Sequence, residues 1–293
     1  MTEKTGESIR SRREYRSRRA DRPARKGPGR AGRNLPAAIV VGLLLIGLVV
    51  ASLLVYRPLF VVLVTAVALL GVRELDEALR VARYSIPLPP LLLAAGLVPL
   101  AYWAGPSALA VGFAAAVGLV LLWRSVGPPQ DALRDVAGGV FIIAYVPVLA
   151  AVPALMLAEP DGAYRVLTYV LVTVASDTGG YVAGVLRGRT PMAPSLSPKK
   201  SWEGFAGSVG LSAVVGVLAL TLLLGGPWWA GALVGAVAAC FATVGDLAES
   251  SVKRDIGIKD MGSLLPGHGG IMDRLDSLLV TAPVCWALLR LFV

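Results

Sequence analysis

Two pairs of carboxylates stand near the end of the chain, each with its members three residues apart. They are Asp246 and Glu249 in "TVGDLAESSVKR", and Asp273 and Asp276 in "GIMDRLDS". That spacing puts each pair on one face of a helix, with Arg274 about a third of a turn away. The first pair ends one apolar run and the second begins the next, so the two should lie at similar depth. A carboxylate buried near a bilayer without a partner costs about 3 kcal/mol or more, and several together repel one another further. A divalent cation relieves both costs, and magnesium accepts a few carboxylate oxygens together with water and phosphate oxygens. Ion pairs from Asp273 or Asp276 to Lys253, Arg254 or Arg274 are the alternative, and spacing alone does not choose between the two. A proton or ion pathway is a third reading; charges grouped at one end of the helices, instead of lining several spans at the midplane, speak against it.

Groups that could handle anions lie close by. In "SLSPKKSWEG", Ser197, Lys199, Lys200 and Ser201 precede an apolar run whose helix start near Gly204 adds partial positive charge. Lysines that merely set topology are the plainer reading, as is an interfacial anchor for Trp202. The stretch "LLPGHGGIMD" carries His268, Gly269 and Gly270 just before the last apolar run, and glycines let main-chain N–H groups approach a phosphate. It is not a Walker A loop, and a lone histidine there more often fixes a loop than catalyses. "VASDTGGYVAG" places Asp177 inside an apolar segment; its glycines suit close helix contact, which leaves the aspartate as a functional candidate.

The elements that must position these residues are membrane helices. The 293 residues are 56% hydrophobic and 16% charged, with mean hydropathy +0.70, which indicates a polytopic membrane protein. Nearly all of the net charge of +9 belongs to a tail: residues 1–34 hold 12 Lys/Arg against 4 Asp/Glu. So basic and so poor in aliphatic residues, the tail is expected to be disordered, to stay in the cytoplasm and to rest against anionic membrane lipids, not nucleic acid. Cys240 and Cys285 lie far apart in apolar runs and form neither a disulfide framework nor a zinc site.

Nine spans are expected, at about 36–56, 58–73, 89–105, 107–124, 135–157, 165–186, 204–225, 227–247 and 271–292. Tight turns such as "YRP", "WAGPS" and "GGPWW" join several of them. With the tail inside, the connections 74–88, 125–134, 187–203 and 248–270 face the cytoplasm and carry most of the remaining Lys and Arg, as the positive-inside rule requires. The expected organisation is an all-α polytopic membrane protein: a tail over 1–34, N-terminal transmembrane helices over 35–160, and a catalytic region over 161–293 with cytoplasmic loops 187–203 and 248–270.

The stretch "SVKRDIGIKDMGSLLPGHGGIMDRLDS", Ser251 to Ser277, resembles the signature of the phosphatidate cytidylyltransferases, or CDP-diacylglycerol synthases. The pattern is S-x-apolar-K-R, four residues, K-D, a small residue, P-x-H-G-G, then apolar-x-D-R-apolar-D. "SDTGGYVAG" and "LSPKKSWEG" are similar to two further stretches of that family, so the likeness is close over about 170–280. It implies transfer of CMP from CTP to phosphatidic acid, giving CDP-diacylglycerol and pyrophosphate, with Mg2+ as cofactor. A second, monovalent metal ion and a homodimer would fit it, as would a site open to the cytoplasm and inner leaflet of the cell membrane. The expected metal ligands are Asp246, Asp273 and Asp276, with Asp177 or Glu249 as further candidates. Lys253 and Arg254 join the catalytic set. Ser197, Lys200, Lys259, His268, Gly269, Gly270 and Arg274 would bind substrate phosphates. The phosphomonoester nucleophile has a second pKa near ~6 and needs no general base. A cytidylyltransferase for another lipid phosphate and an ion-coupled transporter are the competing readings.

Overall fold

The computed structural model describes residues 47–262 and 270–293; the expected tail, His268 and Gly269 lie outside them. Residues 47–55 are helical, completing what is described of the span expected at 36–56. Helix α1, Arg57–Val81, has Pro58 in its first turn, where the missing N–H costs nothing. It runs eight residues past the expected limit of 73, because Leu75, Ala78 and Leu79 continue its buried face. Arg83, at φ 64°, then turns the chain. Helix α2, Leu88–Ala94, leads into α3, Leu97–Ser125.

Helix α3 is two limbs and not one rod. Gly105 adopts φ 77° and ψ −172°, a conformation open to glycine, and Pro106 follows it. A β-carbon at Gly112 would stand 2.6 Å from the side chains of Leu97 and Leu100, which requires the limbs to double back on each other. The turn expected at "WAGPS" is therefore present, and α2 with the first limb occupies the segment expected as 89–105.

Residues Ala132–Leu157 form one apolar rod in three parts: α4 (Ala132–Ile143), a π-helical turn (Ala144–Val148) and α5 (Leu149–Leu157). Pro147 lies in the wide turn, where its lack of an N–H donor interrupts the α-helical ladder. Then follow α6 (Gly162–Arg187), a small antiparallel hairpin of β1 (Pro191–Ala193) and β2 (Ser197–Ser201), and α7 (Trp202–Leu224). The last two helices are α8 (Trp228–Ile256) and α9 (Met272–Phe292). Helix α8 continues past the expected limit of 247 and stops at Gly257, which takes φ 78°.

Seven helices among the described residues are long and apolar enough to cross a membrane. The protein is a multi-pass membrane protein. Exposed Trp103, Leu222 and Trp228 face outward from the bundle, as residues in contact with lipid do.

Close packing of α6, α7, α8 and α9 comes from small residues. Gly179 meets Gly207, Gly216 meets Gly231, and Gly245 sits against the Asp276 carbonyl, each too close for a β-carbon. Hydroxyls then reach across to main-chain carbonyls: Ser208 to Ser176 at 2.8 Å, Ser212 to Val172 at 2.7 Å and Tyr169 to Leu278 at 2.9 Å. The upstream helices are fastened at their polar ends. Asp135, on α4, accepts from Arg124 Nε at 3.0 Å and from the Ser85 amide at 2.8 Å.

Candidate active site

Four helices and the hairpin meet around a cavity of about 370 Å³. Asp177 of α6, Asp246 of α8, and Asp273, Arg274 and Asp276 of α9 line it, with Lys199 and Lys200 of β2. The hairpin is held in place through α7. Ser201 is the N-cap, its hydroxyl accepting from Gly204 N at 3.1 Å. Glu203 accepts from the Arg189 amide at 3.1 Å and the Thr190 hydroxyl at 2.8 Å, tying the hairpin's entrance to the first turn of α7.

On that support Lys200 extends to Asp246, with Nζ 2.5 Å from Oδ2. Lys253, one turn below Glu249 on α8, reaches Glu249 Oε2 at 2.9 Å and crosses to Asp273 Oδ1 at 2.7 Å. Asp273 also accepts from Gly270 N at 2.8 Å and from Met261 N at 3.3 Å, so backbone amides as well as an ammonium hold its carboxylate. Asp276 lies against Asp246 and Glu249 and accepts from Ser277 N at 2.8 Å. Ser277 Oγ donates to Asp177 at 3.2 Å, joining α6 to α9.

The expectation that the two carboxylate pairs lie at one depth therefore holds, since Asp276 meets both Asp246 and Glu249. The ion-pair alternative also has a place: Asp273 is paired with Lys253 and Asp246 with Lys200. Among the described residues, no three acidic, cysteine or histidine side chains are grouped closely enough to enclose a metal ion. The chemistry of the donors nonetheless suits a hard cation. Carboxylates from α8 and α9 adjoin, and buried Glu249 keeps Oε1 without a hydrogen-bond partner among the described residues.

The other sequence candidates are spread around this centre. Gly270 is buried and donates to Asp273. Arg274 is exposed at the cavity. Arg254 and Lys259 are exposed at the end of α8 and just after it, and neither lines the cavity. Ser197 pairs with Ala193 in the hairpin and likewise does not line it. Asp177 needs no kink in α6 to reach the cavity, because the cavity extends down to it.

Two enclosed polar groups were missed by sequence reasoning. Glu74, 2% exposed on α1, accepts from Met272 N at 2.9 Å at the start of α9. Tyr145 stands in the π-helical turn with its hydroxyl buried and unpartnered among the described residues. The signal for Glu74 was the apolar 3–4 periodicity of Leu75, Ala78 and Leu79, which carries α1 beyond its hydropathy limit.

A family model described as the cytidylyltransferase family matches residues 36–292. A phosphatidate cytidylyltransferase of Mycobacterium leprae is 44% identical over 291 residues, covering 94% of this chain and 93% of that protein. One from Mycobacterium bovis is 42% identical over 277 residues, covering 89% and 90%. The chloroplastic phosphatidate cytidylyltransferase 5 of Arabidopsis thaliana is 34% identical over 269 residues, covering 79% and 66%.

Proposed function

From the premise that this chain belongs to the phosphatidate cytidylyltransferase family, we propose that it joins CTP and phosphatidic acid into CDP-diacylglycerol, releasing pyrophosphate, at the cavity between α6, α7, α8 and α9. The observation that carries this reading is the gathering of four aspartates with Lys199, Lys200 and Arg274 around one cavity between membrane helices. Both substrates are anionic, one held by the membrane and one arriving from water, and this placement suits their meeting.

The difficulty of the reaction is electrostatic. The phosphate of phosphatidic acid is already ionised near neutral pH, with a second pKa of about 6, and needs no base. It must approach the α-phosphate of a nucleotide that carries several negative charges. Preorganised cations and amides are the general means of easing such transfers. Asp246, Asp276 and Glu249, with Asp273 and Asp177 as further ligands, would hold Mg2+. A divalent ion there supplies Lewis-acid stabilisation of phosphate charge. Lys200 and Lys253 would exchange their carboxylate partners for phosphate oxygens when nucleotide binds. Arg274 would meet an anion at the cavity, and the Gly270 amide would steady Asp273. Arg254 and Lys259 stand where they could draw nucleotide toward the site before it docks. The cavity would face the cytoplasm, since the basic tail and the Lys- and Arg-rich connections favour that side.

Purified protein in detergent, given labelled CTP, phosphatidic acid and magnesium, should form a CDP-lipid and pyrophosphate in equal amounts. Failure to form either, from protein that is folded and monodisperse, would overturn the reading.

A further inference from the structure

An acidic side chain near the site lies outside the three signature stretches quoted from the sequence. Glu74 belongs to α1 and is 2% exposed. Its Oε2 accepts from Met272 N at 2.9 Å, across 198 residues of sequence. Helix α9 has no side-chain cap of its own. The bond from α1 thus supplies one of the partners a helix start lacks, and sets negative charge on the positive end of the helix dipole.

The glycines around Glu74 show what else it does. A β-carbon on Gly270 would lie 2.7 Å from Oε2, and one on Gly262 would lie 2.5 Å from Cδ. The Glu74 carboxylate fills the space where side chains at both positions would go. These two residues adjoin the amides that hold Asp273: Gly270 N itself at 2.8 Å, and Met261 N at 3.3 Å. A short chain of contacts therefore runs from Glu74 through the backbone at 261–262 and 270–272 to the Asp273 carboxylate.

Packing alone does not account for the choice of residue. Oε1 of Glu74 is buried without a hydrogen-bond partner among the described residues. Burying a carboxylate is costly, and an apolar side chain of similar volume would be the cheaper filler.

We propose that Glu74 is a positioning residue for the reaction. It fixes the start of α9 and the strip at Met261–Gly262, so that Asp273 is presented to the cavity in one orientation. Glu74 touches no substrate; it acts through the backbone. The inference rests on the role given to Asp273 in the proposed function.

The test compares wild type, Glu74→Ala, Glu74→Gln and Gly262→Ala as full-length protein in detergent. Misplacing a reacting group by about 1 Å can cost about 100-fold in rate. Glu74→Ala should therefore lower kcat by about that factor while KM for CTP changes less than about threefold. Glu74→Gln keeps an acceptor for the Met272 amide and should recover at least about tenfold of the loss. Gly262→Ala, which pushes on the carboxylate from the other side, should reproduce the kcat defect. Amide hydrogen exchange over 270–276, read without substrate, should quicken in Glu74→Ala and stay near wild type in Glu74→Gln. A Glu74→Ala enzyme within about threefold of wild-type kcat, or with unchanged exchange, overturns the proposal. So does a Glu74→Gln protein that unfolds as readily as Glu74→Ala, which would make the residue a matter of stability. The exchange result decides the positioning claim even if wild type makes no CDP-lipid, an outcome that would count against the functional reading alone.

Discussion

Replacing Asp246 by Asn removes one charge from the site and almost no volume. Asp246 Oδ2 lies 2.5 Å from Lys200 Nζ, with side chains 31% and 26% exposed. In the working complex Asp246 would face the bound cation instead of Lys200, and unit charges about 4 Å apart at an effective dielectric of about 20 interact by about 4 kcal/mol. Partial exposure lowers that to about 3 kcal/mol, within the range lost when one preorganised electrostatic partner is removed from an enzyme. At about 1.4 kcal/mol per decade, kcat/KM for CTP should fall about 100-fold. Product formation from labelled CTP and phosphatidic acid, followed across a magnesium titration, measures the effect. A carboxylate that also holds the metal should raise the magnesium concentration needed for half-maximal rate. Lys200→Ala should mainly raise KM for CTP, and the double variant should lose less than the two single losses combined, because one partner is already gone. If folded Asp246→Asn stays within about threefold of wild type at every magnesium concentration, neither a metal nor a phosphate-handling role for this pair survives.

Three further outcomes follow from the same geometry. Asp273→Asn should abolish turnover while membrane insertion and thermal stability in detergent stay close to wild type; retained activity would remove Asp273 from the working site. Gly207→Val would force apart α6 and α7 at a backbone contact with Gly179, lowering stability by about 1–3 kcal/mol, read as an earlier thermal transition in detergent; an unchanged transition would mean the pair is not closely packed. The rate at low phosphatidic acid should rise with pH through about 6, since the lipid phosphate becomes a dianion above its second pKa and loses nucleophilicity as it regains a proton below it; a flat profile from about pH 5 to 8 would contradict attack by the dianion.

Much of this molecule can be read before any coordinates. The turn at Gly105–Pro106 and the approach of Asp276 to Asp246 and Glu249 follow from glycine, proline and 3-residue spacing, all local signals. What escapes is set by contacts distant in sequence. Helices α1 and α8 outrun their hydropathy because charged residues such as Glu74, Asp76, Glu249 and Lys253 can continue a helix once a neighbour buries or pairs them. The hairpin over 191–201 has no alternating apolar pattern and depends on Glu203 and Ser201 to hold it. Spacing left open whether Asp273 binds a metal or a cation of the chain. Lys253 takes that place in the structure, and the choice depends on what else is bound. Periodicity could have placed Glu74 on α1, but not its contact, because its partner, the Met272 amide, lies 198 residues away.

The most direct test is an experimental structure with CTP and Mn2+ in place of magnesium, using the anomalous signal of manganese to locate the ion. The expected result is one ion bonded to oxygens of Asp246 and of Asp273 or Asp276, with Lys200 turned to the nucleotide phosphates. Bound CTP with no ion among these carboxylates, and with the Lys200–Asp246 and Lys253–Asp273 pairs still closed, would contradict it.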